Sequence, residues 1–255
     1  MRVLVIAICF VSALVAAAQN NLSASEQIQI IEKAGEVALH YTANLPNFIC
    51  TEAIRRFQLP KRSQTWKLSD TIAVDVAFSD QGERYNMLTI NGKPTRKSFR
   101  KIGGTKSDSE FGTILQWIFQ PESQTKFQSE RPTDIRGRPT LVFSYHIEQD
   151  HSKFAVNFGR RFRMKVAYGG LAYVDRETNR VLKITAIASG LPANWPSFSQ
   201  EVESGFVEIG GQGLFLPLHA QTDATTQDGN QFRNELEFGN YRKFSSEATL
   251  QFEPQ

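Results

Sequence analysis

Short runs in which apolar and polar residues alternate, divided by polar turns, constrain this chain more than anything else in its 255 residues. In the second half such runs fall at 163–168, 171–174, 181–188, 200–209, 219–226, 231–238 and 248–252. The stretches between them, such as 175–180 and 228–230, are too short to hold a helix, and parallel neighbours need a crossover of about a dozen residues or more. These strands are therefore expected to pair antiparallel, in sequence order. The first half carries the same signal. Over 70–78, Ile72, Val74, Val76 and Phe78 face one way while Thr71, Ala73, Asp75 and Ala77 face the other. Leu141, Phe143, Tyr145 and Ile147 alternate with Val142, Ser144 and His146. Further strands are predicted at 48–59, 83–90 and 153–158, with Asn91 and Gly92 forming a turn that tolerates positive φ.

Two segments change period from 2 to 3.6. Ser23 stands three residues before Glu26, the spacing of a capping box, and Ile30, Ile31, Ala34, Val37, Ala38 and Tyr41 then share one helical face. Asn44, Leu45 and Pro46 end that helix. A second, shorter helix is predicted over 109–119, between the Gly103–Gly104 pair and Pro121, apolar on several sides through Ile114, Leu115, Trp117, Ile118 and Phe119. No linker, repeat or low-complexity tract divides the chain. The expected fold is α+β: one large, curved antiparallel sheet with a long N-terminal helix and a second short helix packed against it.

Residues 1–18 read as a cleaved signal peptide, and 19–255 as one domain. Arg2 precedes an uncharged apolar run over 3–15, and Ala16, Ala17 and Ala18 come before polar Gln19. That run is shorter than the ~20 residues that span a bilayer, so export to the periplasm or the exterior is favoured over an anchor. Cys9 leaves with the signal, and Cys50 remains alone among Phe48, Ile49 and Ile54, where burial is favoured over exposure. The net charge of +3 falls by one with Arg2, too weak to call for nucleic acid. Basic clusters at Arg55–Arg56, at Arg96, Lys97, Arg100 and Lys101, and at Arg160, Arg161, Arg163 and Lys165 read as wet strand edges. The alternative is peripheral contact with anionic headgroups or an acidic partner.

Two stretches bring a family into view. Gly170, Leu171, Ala172, Tyr173, Val174 and Asp175, followed by a turn into Arg180, Val181, Leu182, Lys183 and Ile184, resemble a hairpin of the periplasmic lipoprotein-carrier-like (LolA/LolB-like) superfamily. Residues 238–244, from Phe238 through Gly239, Asn240 and Tyr241, are similar to its late strand-and-turn element. The 45–50 and 90–94 segments also resemble a set of secreted bacterial proteins. The superfamily resemblance implies an open half-barrel, a sheet that stops short of closure and wraps helices over an apolar hollow that receives acyl chains.

Chemistry-bearing motifs are sparse. There is no Gly-x-Ser-x-Gly elbow, no His-Glu-x-x-His helix and no phosphate loop. His146, Glu148 and His151 are a zinc-ligand set by type, but His151 has opposite strand parity, so a solvated hairpin tip is the better reading. Glu201 and Glu203 share parity without an identifiable apolar pocket. No metal or cofactor is called for. Nineteen phenylalanines and three tryptophans instead supply the flat apolar surface of a ligand pocket. The expected function is noncatalytic binding of an apolar or amphiphilic ligand by a monomer in the cell envelope. Ile72, Val74, Val76, Phe78, Trp117, Phe119, Phe143 and Tyr145 are expected, by parity and bulk, to line the hollow. The alternatives are an envelope hydrolase and a sensory module for an envelope protein partner.

Overall fold

A computed structural model describes residues 23–41, 44–79, 82–99, 102, 111–158, 162–191 and 197–243. The expected leader over 1–18 and the expected strand over 248–252 lie outside them. Helix α1 spans Ala24–Leu39 and opens on the predicted capping box. The Ser23 hydroxyl accepts from the Glu26 amide at 3.2 Å while the Ser23 amide donates to the Glu26 carboxylate at 2.8 Å, satisfying two backbone donors the first turn cannot. Its buried face is small, made of Ala34, Gly35 and Ala38.

The strands follow in order: β1 (Phe48–Leu59), β2 (Lys67–Ser79), β3 (Gly82–Ile90) and β4 (Lys93–Pro94) precede α2 (Thr113–Phe119). After it come β5 (Lys126–Ser129), β6 (Thr133–Ile135), β7 (Arg138–Ile147), β8 (Ala155–Phe158), β9 (Phe162–Lys165) and β10 (Ala167–Asp175). The chain continues through β11 (Val181–Ser189), β12 (Phe198–Ile209), β13 (Gln212–Thr225) and β14 (Gln231–Lys243). Among the described residues, twelve strands form one sheet in the order β4-β3-β2-β1-β14-β13-β12-β11-β10-β7-β5, with β6 beside β7, and β8 and β9 pair separately. Every pairing is antiparallel and the sheet does not close. It is an open curved α+β sheet.

Bulges bend it. Register slips occur between Ile49 and Thr51 against β14, between Arg56 and Phe57 against β2, and between Glu203 and Ser204 against β13. Each extra residue sharpens twist and bends its strand, which curls a long sheet around its apolar face. These slips also explain where the strands differ from expectation. β13 begins at Gln212 rather than 219, because Pro217 sits at the slip opposite Ser204, where a missing amide donor is tolerated. β14 runs on to Lys243 because Asn240 takes φ 52° at the slip facing Ile49 to Thr51. The runs at 163–168 and 171–174 are divided differently, β9 ending at Lys165 and β10 running unbroken from Ala167 through Gly169 and Gly170. α2 starts at Thr113, after Gly112 at φ 106°; Ser109 and Glu110 lie outside the described residues.

One inward-facing cluster unites the layers: Ala34 and Ala38 of α1, Ile114, Leu115 and Ile118 of α2, and Phe48, Val74, Val76, Phe143, Tyr168, Val174, Leu216 and Leu236 of the sheet. Gly170 has no room for a side chain, since a Cβ there would lie 2.0 Å from the Thr185 carbonyl oxygen. Gly170→Ala is expected to cost about 3 kcal/mol by forcing β10 off β11, and Ser23→Ala about 1 kcal/mol by removing the cap. Urea unfolding of the two variants beside the parent checks both the order and the size.

Candidate functional site

The concave face of the sheet is the first candidate, and the eight residues named from the sequence belong to, or pack against, one apolar cluster beneath α2. Ile72, Val74, Val76, Phe143 and Tyr145 are buried, with Val74 and Val76 at 0% exposure. Phe78, Trp117 and Phe119 are half-buried and pack against the same cluster. Rings continue the packing. Phe48 stacks on Phe78 at 5.1 Å, Phe111 meets Phe48 and Phe238, Phe119 stacks on Phe127 at 5.4 Å, and Trp117 meets Phe154 edge-on. Burial pushes the Tyr145, Tyr168 and Tyr241 phenols and the Cys50 thiol upward, Cys50 also through the charge of the buried Glu52 beside it, so these four groups stay neutral. Cys50 is fully buried, as its neighbours in sequence led one to expect.

Helix α2 covers this face, and its two ends are held differently. At its C-terminal end the Ser123 hydroxyl donates to the Trp117 carbonyl and the Thr125 hydroxyl to the Ile118 carbonyl. At its N-terminal end Gly112 gives no side-chain cap, and neither end carries a charge that complements the helix dipole. Its contact with α1 is a close approach over Gly35, where a Cβ would stand 3.4 Å from Phe119 Cδ1 and 4.0 Å from Phe119 Cβ.

A polar row that strand periodicity did not disclose crosses the concave face. Asp70, Arg56, Asn234, Thr222 and Gln200 are successive cross-strand partners from β2 to β12. Arg56 and Asp70 form a two-pronged ion pair. Thr222 Oγ1 and the Tyr168 hydroxyl are buried without a hydrogen-bond partner among the described residues. The signal was present as polar residues at inward parity, in strands where each looked like an isolated interruption.

A second concavity, of about 370 Å³, opens at the C-terminal end of α1. Buried Tyr41 and Phe215 floor it, edge to face at 6.5 Å, and the Tyr41 hydroxyl donates to the Phe215 carbonyl at 2.9 Å. Val37, Leu45 and Leu214 wall it, and Glu36, His40 and Arg180 form its rim. The hairpin that sequence resemblance singled out positions Arg180. Asp175 accepts from the Glu177 and Thr178 amides at 2.9 and 2.8 Å, and its own amide donates to the Arg180 carbonyl. Burial opposes ionisation of Asp175, but hydrogen bonds from Arg138 and from these amides outweigh it and hold its carboxyl below the usual range. The Arg180 guanidinium lies over the Phe215 ring at 5.2 Å and the Phe206 ring at 5.7 Å.

The other candidates separate. His146 Nε2 lies 3.5 Å from Glu148 in an exposed pair, and Gln149–His151 turn as a 3-10 helix. Among the described residues no group of three or more His, Cys, Asp or Glu is arranged to hold a metal ion. Glu201 pairs with Lys183 and Glu203 with Arg136. Of the basic clusters, Arg55 reaches Glu235 and Glu237 across β14.

No family model and no curated protein matches the chain. Among solved structures, it is similar to a LolA superfamily protein from Nitrosomonas europaea, at 12% identity and a TM-score of 0.39 over 86% of this chain and 93% of that one. It is similar to a DUF1329 family protein from Desulfovibrio piger, at 8% identity and a TM-score of 0.41 over 85% and 94%. It is also similar to the Mycobacterium tuberculosis lipoprotein LppX, at 10% identity and a TM-score of 0.30 over 86% and 97%.

The Asp175 turn has a pH signature. Because its carboxyl is held below its unfolded value of about 3.9, its stabilisation is complete above that value and is lost as pH falls through the folded value. The stability difference between the parent and Asp175→Asn should be constant from pH 5 upward and shrink below about pH 4, as urea unfolding across that range will show.

Proposed function

We propose that this chain is an exported, noncatalytic binding protein that carries an apolar or amphiphilic ligand in the trough of its open sheet, within the cell envelope. The observation that supports this most is the way α2 covers that trough. A two-turn helix, uncapped at its N-terminal end and seated on apolar side chains, separates an apolar cluster from water, while Ser123 and Thr125 tether its other end. Such a helix can part from α1, which it meets over Gly35, and exchange its own apolar contacts for those of a ligand of similar size.

The ligand would then meet Ile72, Val74, Val76 and Phe78 on one side and Phe143 and Tyr145 on the other. Trp117 and Phe119 would close over it. The orphaned hydroxyls of Thr222 and Tyr168 favour an amphiphile over a pure hydrocarbon, since an ester or amide oxygen would satisfy buried donors that otherwise carry a desolvation cost of about 1–3 kcal/mol each.

Locking α2 tests the reading. A Cβ at Gly35 stands 4.0 Å from that of Phe119, inside the range a disulfide requires. In the double variant Gly35→Cys/Phe119→Cys, the reduced protein should take up a fluorescent fatty-acyl probe and the oxidised protein should not, with uptake returning on reduction. Equal uptake in both states would remove the parting of α2 from α1. A parent protein that never binds the probe, and that comes lipid-free from its own host by native mass spectrometry, would remove the binding function itself.

A further inference from the structure

We propose that the groove at the C-terminal end of α1 is a second binding site, built for a single-chain amphiphile whose head carries both an anionic group and an ammonium, as a phosphoethanolamine head does. Its volume of about 370 Å³ stands near the lower end of the ~300–1,000 Å³ typical of small-ligand sites, which suits one chain rather than two. Val37, Leu45, Leu214 and Phe215 offer that chain an apolar bed.

The head is specified by charges that the fold leaves uncompensated. Arg180 has no carboxylate within ion-pair distance among the described residues, unlike its neighbours Arg136, Arg138 and Lys183, which are paired with Glu203, Asp175 and Glu201. Stacked over Phe215 and Phe206 and fixed at its backbone by the Asp175 turn, it presents a half-buried guanidinium to the groove, suited to two-pronged contact with a phosphate. The lining of the same groove also carries the opposite sign. The last turn of α1 carries no basic residue, and Glu36 adds a carboxylate where the helix dipole is already negative. An acidic residue there opposes the helix, and an ammonium set between Glu36 and the terminal carbonyls reverses that penalty. A plain anion would gain Arg180 but meet Glu36 and the helix end, so the arrangement selects a head of both signs.

The site stands apart from the trough, and its test is independent of α2. The probes are lyso-phosphatidylethanolamine and lyso-phosphatidylglycerol, below their micelle concentrations, titrated by calorimetry into the parent and into the oxidised Gly35→Cys/Phe119→Cys variant. The ethanolamine lipid should bind one to one and several-fold more tightly than the glycerol lipid, in both proteins. Arg180→Gln should weaken both lipids about tenfold or more, the loss of a charged hydrogen-bonding partner. Glu36→Gln, on an exposed helix position where folding is not at stake, should abolish the preference by weakening the ethanolamine lipid alone. A preference for the glycerol lipid, an unchanged preference in Glu36→Gln, or no binding by the parent would overturn the proposal. Loss of binding in the locked variant alone would assign these lipids to the trough and overturn the groove while leaving the binding function standing.

Discussion

The pairing of β1 with β14 is the constraint on which the rest of the structure depends. It runs from Phe48 opposite Lys243 to Leu59 opposite Gln231, joining the first strand to the last described one. On one side of that seam β1 to β4 form a meander, and on the other β14 back to β10 form a second. Without the seam each would be a small sheet with one greasy face and nothing wide enough to cover it. With it, the inward residues of both meanders become a single concave surface, and Ile54 and Leu236 meet directly across the join. Loop closure over most of the chain is unfavourable until the ladder forms, so this contact must be rewarded by burial on the face it creates.

That face then dictates what the helices can be. An open sheet leaves its concave side to be covered by something narrower than itself, and α1 meets the need with a small face of Ala34, Gly35 and Ala38 that lets Phe119 come close. Because α1 spends its packing surface on α2, the middle of the trough is covered by a helix of only seven residues. Helices this short are not stable by themselves and persist only through tertiary contacts. The cover of the trough is thus also the part of the fold whose order depends most on what lies beneath it.

The sequence disclosed structure where one residue's environment repeats along its own strand. Phe48 to Leu59 reads as a strand with its observed bounds, the capping box places the start of α1, and the parity of Ile72, Val74 and Val76 identifies the buried face of β2. It was silent where the cause is a neighbour distant in the chain. Gln212 to Leu218 contains Gly213 and Pro217 and falls outside the predicted strands, yet it pairs because a bulge in β12 accepts the proline. The polar row from Asp70 to Gln200 exists only once five strands are set in register. The groove at Tyr41 is made by an α1 residue and Phe215, brought together by tertiary packing that no period along the chain encodes.

The ionisation pattern fits this division between trough and rim. Inside, Tyr145, Tyr168, Tyr241 and Cys50 are all driven toward their neutral forms, chiefly by burial. At the turns and caps, Glu26, Asp175 and Asp228 are held ionised by the hydrogen bonds they accept. Neither set has the character of a proton-transfer pair, in which environment poises an acid and a base near neutrality. One set keeps a surface dry and the other keeps hairpins and helix ends in shape. Arg180 is the exception that belongs to neither, a guanidinium placed by a turn of the second kind over rings that border the first. It marks the place where the fold offers charge to something other than itself.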